Sequence, residues 1–419
     1  MTDAPDLVIR DVSVLDCTGR EPSGRHDVVV REGRIAGIEP AGREQHAGSA
    51  VVDGAGCTLL PGLTDAHVHF AIIGPHGDHG DEPLINHVLK VASFIEGALD
   101  EGFTTVRDAG GLEPAWAKAV ASGLIHGPRI LPSGSYLSQT GGHGDARLAH
   151  EAVHRHGPSI PGLIARGEIV DGPDAVRRAA REQLRRGATQ IKIFASGGVV
   201  SPTDPYDSLQ LSREEIEAAV EVARGWHTYV LAHCHTSAAI DVAVEAGVRS
   251  IEHGSLLEPD TAARMAENGV FMVPTLQTVI MIRDDPDRFG LTPEKVAAIR
   301  AIAERSFESI RVADAAGVAI GSGSDVVGPW QGRRGEEIVL KAPILGVHRA
   351  IISATRTNAE LFNLADRIGS VELGKDADLI LLRGEPLDDV ELFRDPANVR
   401  VVLQRGAVVK DSDGRFAEA

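Results

Sequence analysis

From Leu59 onward the chain alternates short strand-like runs with amphipathic helical runs, and that alternation restricts its fold more than any other feature. The strand-like runs fall at Leu59–Leu63, Thr104–Val106, Arg129–Leu131, Gln190–Phe194, Tyr229–Ala232, Ser250–Glu252, Phe271–Val273 and Val318–Ile320. Helical patterns lie between them, at Leu84–Glu101, Pro173–Arg186, Arg213–Arg224, Ser237–Ala246, Pro259–Asn268 and Pro293–Ala316. Strands alternating with helices make parallel sheets, and a count of eight predicts an α/β fold of the (β/α)8 TIM-barrel type. The ends of the chain differ. Leu7–Ile9, Val28–Val30, Arg34–Ile38 and Ala50–Val52 precede the alternation, Ala377–Leu382 and Val399–Val409 follow it, and Gly33 and Gly54 punctuate the first set. These segments are expected to pair into one small β-sandwich domain built from both termini, with boundaries at 1–58 and 365–419, around a barrel at 59–364. Residues 134–170, rich in Gly and His, read as a long loop after the third strand.

Charge narrows the partners. The 42 Lys+Arg against 60 Asp+Glu leave a net charge of −18, which argues against a nucleic-acid partner, since such proteins concentrate positive charge. No window approaches the ~18 uninterrupted apolar residues of a membrane span, so no membrane partner is expected. Met1–Asp16 carries Asp3, Asp6 and Asp11 with no basic start and apolar core, so no secretory signal is expected. Cys17, Cys57 and Cys234 are too few and scattered for a disulfide framework, and a cytoplasmic protein is the expectation. The 17 His concentrate near 67–87, 143–156 and 227–253.

His67 and His69 stand two apart in Leu63-Thr64-Asp65-Ala66-His67-Val68-His69, so on a strand both imidazoles point one way, as in a metal site. Such a pair alone also fits a structural role. Its place at the carboxyl end of the first barrel strand, where barrel active sites are built, adds weight. Lys192, between Ile191 and Ile193, faces the barrel interior, where an ammonium must be paired, neutral, chemically converted, or extended to the mouth. His233 and His235 repeat the pair on the fifth strand, His253 ends the sixth, and Asp325 follows the eighth. Each alone fits a capped loop or a packed side chain. Together, at the ends of strands 1, 4, 5, 6 and 8, they point to a shared metal centre. Tyr229 and His227 share the register of His233 but lie deeper and read as barrel packing, while His76, His79 and His87 read as surface with a lid contact as the alternative.

The run Pro61–His69, with Lys192, His233, His253 and Asp325, resembles the metal-dependent amidohydrolase superfamily, as do Gly102–Asp108, Thr357–Glu360 and Gly374–Leu379. Ser138-Gln139-Thr140-Gly141-Gly142-His143-Gly144-Asp145 and Ala195–Val199, running to Ser201-Pro202-Thr203-Asp204, resemble a narrower subgroup: Xaa-Pro dipeptidases (prolidases), Xaa-Arg/Lys carboxypeptidases and ochratoxin-cleaving amidases. That resemblance implies two divalent ions, zinc being the expected one, and an N6-carboxylated Lys192 bridging them. It assigns His67, His69 and Asp325 to the more buried ion and His233 and His253 to the other. His233 rather than His235 is the ligand by resemblance only, because spacing alone does not choose between them. It implies attack by a hydroxide shared between the ions, Asp325 as the proton carrier, and His143 and His235 facing the substrate.

The expected substrate is a small molecule, a dipeptide or N-acyl amino acid with a free carboxylate beside the cleaved amide. The Gly197-Gly198 turn is expected to aim backbone N–H groups at that carboxylate. A homo-oligomer is implied, an octamer among its states. Two alternatives stand beside this reading: a cyclic-amide or lactone hydrolase resembling imidazolonepropionases, and a non-catalytic metal-binding barrel.

Overall fold

The structure is a computed structural model that describes residues 6–19, 24–42, 49–74, 83–152, 159–201 and 204–417. His76, His79, Pro202 and Thr203, singled out above, lie outside the described residues. The chain divides into two compact units: residues 1–65, 96–105 and 332–419, and residues 66–95 and 106–331.

In the first unit, strands from both ends of the chain share a sheet. Leu7–Val14 (β1), Arg25–Arg31 (β2), Arg34–Pro40 (β3), Ala50–Asp53 (β4) and Cys57–Pro61 (β5) open the chain. In the second unit and at its borders come Leu63–Val68 (β6), Phe103–Asp108 (β7), Arg129–Pro132 (β8), Leu137–Ser138 (β9), Glu168–Ile169 (β10), Ile191–Phe194 (β11), Val230–Thr236 (β12), Ser250–Leu256 (β13) and Phe271–Val273 (β14). Leu379–Arg383 (β15), Val399–Gln404 (β16), Ala407–Asp411 (β17) and Phe416–Ala417 (β18) close it. The nine-stranded sheet runs β17-β16-β15-β5-β1-β2-β3, with β4 on β1 and β18 on β4. The antiparallel pairing of β5 with β15, Leu59 opposite Leu381, joins the two ends of the chain. Alternate residues on these strands, among them Leu7, Ile9, Val28, Val30, Leu379 and Leu381, bury one face as a single apolar cluster, as a half-buried pleated sheet requires. The same unit buries Lys341, whose Nζ donates to Ser353 Oγ at 2.8 Å.

The second unit alternates strand and helix. Its parallel sheet runs β10-β9-β11-β12-β13-β14, and β6-β7-β8 form a separate three-stranded set. The helices are Leu84–Asp100 (α1), Pro114–Ala121 (α2), Pro173–Arg186 (α3), Arg213–Gly225 (α4), Ser237–Ala246 (α5), Pro259–Glu267 (α6), Leu276–Asp284 (α7) and Pro293–Ala315 (α8). Their ends follow local chemistry. Pro173 begins α3 and left-handed Gly187 ends it, while Ser212 and Glu215 form a reciprocal capping box on α4. The buried stripe of α3, Val176, Ala179, Ala180, Gln183 and Leu184, repeats at helical spacing. Among the described residues no helix is long and apolar enough to cross a membrane.

Two expected strands are corrected. Leu59–Leu63 is not the first strand of the alternating region: Leu59–Pro61 belongs to β5 in the terminal sheet, and β6 starts at Leu63. Gly62 makes the change of sheet possible, because a Cβ there would meet Thr104 Oγ1 at 2.1 Å. Val318–Ile320 is reduced to a single parallel bridge, Ile320 to Met272. Backbone bonds nevertheless thread that segment between its neighbours: Met272 N–H donates to Ala319 O, Ala66 N–H to Ser322 O and Asp325 N–H to His67 O. On the other side Thr189 N–H donates to Pro132 O, tying β8 to the start of β11.

Candidate metal centre

The six expected ligands converge inside the second unit. His67 is in β6 and His69 directly follows it; Lys192 is in β11, His233 in β12, His253 in β13, and Asp325 follows the bridge at Ile320. His67, His253 and Asp325 each place a ligand atom within 4.8 Å of the others. His69 Nε2 stands 3.2 Å from His67 Nε2 and 3.4 Å from Asp325 Oδ1, and His67 Nε2 stands 3.7 Å from that oxygen. The His233 ring lies 4.4 Å from that of His253, centroid to centroid.

What surrounds each imidazole decides which nitrogen faces the centre. His67 Nδ1 is 2.6 Å from Glu252 Oε2 and His69 Nδ1 is 2.7 Å from Gly110 O; both partners accept only, so both Nδ1 atoms donate. Burial, and then the charge of Lys192, pulls His69 down to about 4 and His67 well below the ordinary imidazole value. The rings are therefore neutral, with two Nε2 lone pairs and a carboxylate oxygen facing one another. Lone pairs converging at that range repel unless a cation lies among them, so the donor set fits a divalent ion. His233 is fixed by the same rule, its Nε2 donating to Gly197 O at 3.0 Å, while His253 holds Nδ1 2.7 Å from Thr275 Oγ1. Burial first, then neighbouring imidazoles, also holds His233 and His253 well below the ordinary value.

Lys192 is fully buried, with Nζ 5.2 Å from the centre of the Phe194 ring. Burial lowers its ammonium to about 8 against the pull of the Glu252 and Asp325 carboxylates. Behind His67 lies a network the sequence reading missed. Glu252 accepts from His67, from Arg107 Nη2 at 2.8 Å and from Ser250 Oγ, and Arg107 Nε donates to Ala66 O at 2.6 Å. Three residues here hold left-handed backbone without being glycine: His253 (φ 73°), Thr275 (φ 49°) and Asp325 (φ 53°). Such conformations cost about 1–3 kcal/mol each and concentrate at functional sites.

The expected substrate-facing residues are also here. His143 stacks on His233 at 4.6 Å with Nδ1 2.9 Å from Ser201 Oγ, and His235 sets Nδ1 3.1 Å from Ser255 Oγ. Both line a cavity of about 400 Å³ together with His67, His69, Lys192 and Asp325. Three expectations need correction. The Gly197 and Gly198 amides do not form an anion nest: Gly197 N–H donates to Ser208 O and Gly198 N–H to Asp204 Oδ2. Gly198 is required for another reason, since a Cβ there would sit 2.1 Å from His143 Cε1. His227 is exposed on left-handed backbone (φ 57°) where it ends the turn after α4, whereas Tyr229 is buried as expected. His87 is buried rather than at the surface, on the inner side of α1.

Residues 58–409 match the Amidohydrolase family. The chain belongs to that family. This amidohydrolase is 36% identical to ochratoxinase of Aspergillus niger over 372 residues, covering 84% of this chain and 75% of the relative. A prolidase solved with N-methylphosphonate-L-proline is 40% identical with a TM-score of 0.91, over 97% of this chain and 100% of that one. A Xaa-Pro dipeptidase solved with methionine in its active site is 28% identical with a TM-score of 0.86, over 97% and 100%. Family and relatives make the chain an amide-bond hydrolase.

Proposed function

We propose that this amidohydrolase cleaves the amide bond of dipeptides or N-acyl amino acids that carry a free carboxylate next to that bond. Its catalytic part is read as a (β/α)8 barrel whose first strand starts at Leu63, flanked by a β-sandwich built from both ends of the chain. The observation that carries the reading is the convergence of His67 Nε2, His69 Nε2 and Asp325 Oδ1 at 3.2–3.7 Å, neutral imidazoles and a carboxylate lining one cavity. His67, His69 and Asp325 would hold one zinc ion, His233 and His253 the other, with N6-carboxylated Lys192 between them. A pair of divalent ions supplies a hydroxide nucleophile at neutral pH and polarises a carbonyl.

The rest is done by the chain. Glu252 and the Gly110 carbonyl keep the Nε2 edges of His67 and His69 turned inward. Lys192, lowered to about 8 by burial, has neutral amine near pH 7–8 to add to carbon dioxide, releasing a proton to solvent and becoming a carbamate anion whose buried charge the two ions would balance. Asp325 takes the proton of the attacking water and delivers it to the leaving nitrogen. His143 and His235, anchored at Nδ1 by Ser201 and Ser255, present their Nε2 edges to the substrate carbonyl. The ochratoxinase and prolidase relatives support an amide with an adjoining carboxylate. Metal analysis of the purified protein together with a panel of dipeptides and N-acyl amino acids tests this; turnover restricted to cyclic amides and lactones would overturn it.

A further inference from the structure

The two histidines expected to face the substrate sit beside serines that are not equivalent. His143 Nδ1 is 2.9 Å from Ser201 Oγ, and that hydroxyl also has Gly198 O at 3.4 Å to donate to, so it can serve His143 in either direction. Ser255, near the end of β13, has no such choice. It is fully buried, and among the described residues the one hydrogen-bond partner of its Oγ is His235 Nδ1, at 3.1 Å. An imidazole with a proton on Nδ1 would offer that hydroxyl a donor and leave its own proton without an acceptor, which is costly in a buried place. A bare Nδ1 lone pair accepts the hydroxyl proton and satisfies both atoms. The ring has little freedom to escape this. His235 N–H donates to Ser196 Oγ at 2.9 Å, and the ring stacks on His253 with centroids 5.1 Å apart and meets His233 edge-on at 4.7 Å. Ser309 of α8 holds the other side, its Oγ donating to Ser255 O at 2.7 Å and accepting from Leu257 N–H at 3.1 Å.

We propose that Ser255 is a positioning residue that keeps the His235 proton on Nε2, making His235 a hydrogen-bond donor to the carbonyl oxygen of the substrate amide and not a base. The tautomer stands on the geometry alone, and its use on a carbonyl rests on the amide hydrolysis read above. His235 lines the cavity that holds the ligand cluster. A lone pair at Nε2 would repel an oxygen on which negative charge grows, whereas an N–H there attracts it more strongly as the charge develops. The same arrangement leaves His235 no lone pair for a metal ion, since Nδ1 is taken by Ser255 and Nε2 carries the proton. His233 is the reverse: its Nε2 donates to Gly197 O and its Nδ1 keeps the lone pair. Two histidines two apart on one strand are thereby sorted by their partners, one able to bind an ion and one able to donate to substrate.

The test reads the tautomer directly. Zinc-loaded enzyme with isotope-labelled histidine ring nitrogens is measured by two-bond proton–nitrogen correlation, which separates a protonated from a bare ring nitrogen, with His235 assigned by its loss in His235→Gln. A bare Nδ1 and a protonated Nε2 are expected in wild type, and a mixture of the two tautomers in Ser255→Ala. A proton on Nδ1 in wild type overturns the proposal, as does a Ser255→Ala ring that keeps the wild-type pattern. On an N-acyl amino acid, Ser255→Ala should lower kcat by about 2- to 10-fold, the population shift that one hydrogen bond supplies, with KM and zinc content near those of wild type. A loss confined to KM or to zinc content would mark a merely structural serine and overturn the positioning role. If wild type turns over no amide, the proposed function falls and the carbonyl donor with it, while the nitrogen spectrum still decides the tautomer.

Discussion

Replacing Glu252 by glutamine preserves shape but removes the charge on which two buried groups depend. Glu252 is fully buried, with Oε2 taking the His67 Nδ1 proton at 2.6 Å and Oε1 taking Arg107 Nη2 at 2.8 Å as well as Ser250 Oγ. A glutamine has one acceptor oxygen for these two positions. If that oxygen faces Arg107, the amide N–H₂ faces His67, which must then accept at Nδ1 and carry its proton on Nε2. That proton would point at His69 Nε2, 3.2 Å away, and His67 would no longer be a ligand. Loss of an orienting partner of this kind costs about 10–100-fold in metal affinity. If the oxygen instead faces His67, the buried Arg107 loses its counter-charge, worth about 3–5 kcal/mol of stability. Glu252→Gln therefore has no neutral outcome. Zinc competition titration and denaturant unfolding of the metal-free chain read the two branches separately. An affinity within twofold of wild type together with a stability within about 1 kcal/mol would refute the reasoning, because both rotamers of the glutamine would then be tolerated.

Lys192→Ala should abolish turnover and regain part of it with a small added carboxylic acid, whereas Lys192→Arg, which cannot form an equivalent ligand, should stay inactive; an active arginine variant disproves the bridge. Asp325→Asn, assayed with metal content verified, should lower kcat by about 10²–10⁴, the usual worth of general acid–base catalysis, and wild-type kcat would exclude Asp325 as the proton carrier. Chelation should abolish turnover while the circular dichroism of the folded chain persists, since the strands and helices bury their own apolar faces; activity in a verified metal-free sample contradicts it. Lys341, lowered by burial from 10.5 to about 8, binds its proton less tightly folded than unfolded, so its share of stability rises as pH climbs from 8 to 10.5, by about 3 kcal/mol in all. The wild-type-minus-Lys341→Met difference in unfolding free energy should show that rise, and a flat difference across the window would count against it.

The gathering of His67, His69, Lys192, His233, His253 and Asp325 around one cavity was legible because the rules that place them are local. Two histidines two apart, a lysine between two isoleucines and histidines at strand ends need only the alternation of a strand to be read as one inward face. The strand boundary near Gly62 was not legible, because Cys57–Val68 is one buried run whose two halves pair in different sheets, and hydrophobic period carries no mark of that change. Glu252 was visible on its strand, but its reach to His67, 185 residues earlier in the chain, exists only in the folded molecule. The glycine nest failed for a related reason: Asp204 and Ser208 take those amides through a loop whose closure no spacing rule predicts.

The left-handed backbone at His253, Thr275 and Asp325 is the sharpest case of a feature that local rules miss. Residue preferences favour glycine in such conformations and, less strongly, Asn, Asp and His, whereas a β-branched threonine is among the least suited to them. They persist here because surrounding bonds over-determine them: His253 Nδ1 is held to Thr275 Oγ1, and Asp325 N–H to the carbonyl of His67. Each bond links one strained residue to another member of the same site, so the strain is shared within the site and cannot be relieved at one position without turning another. Sequence rules describe residues choosing their own conformation. At Thr275 above all, the conformation is set by the bonds around it, and there propensity and structure part company.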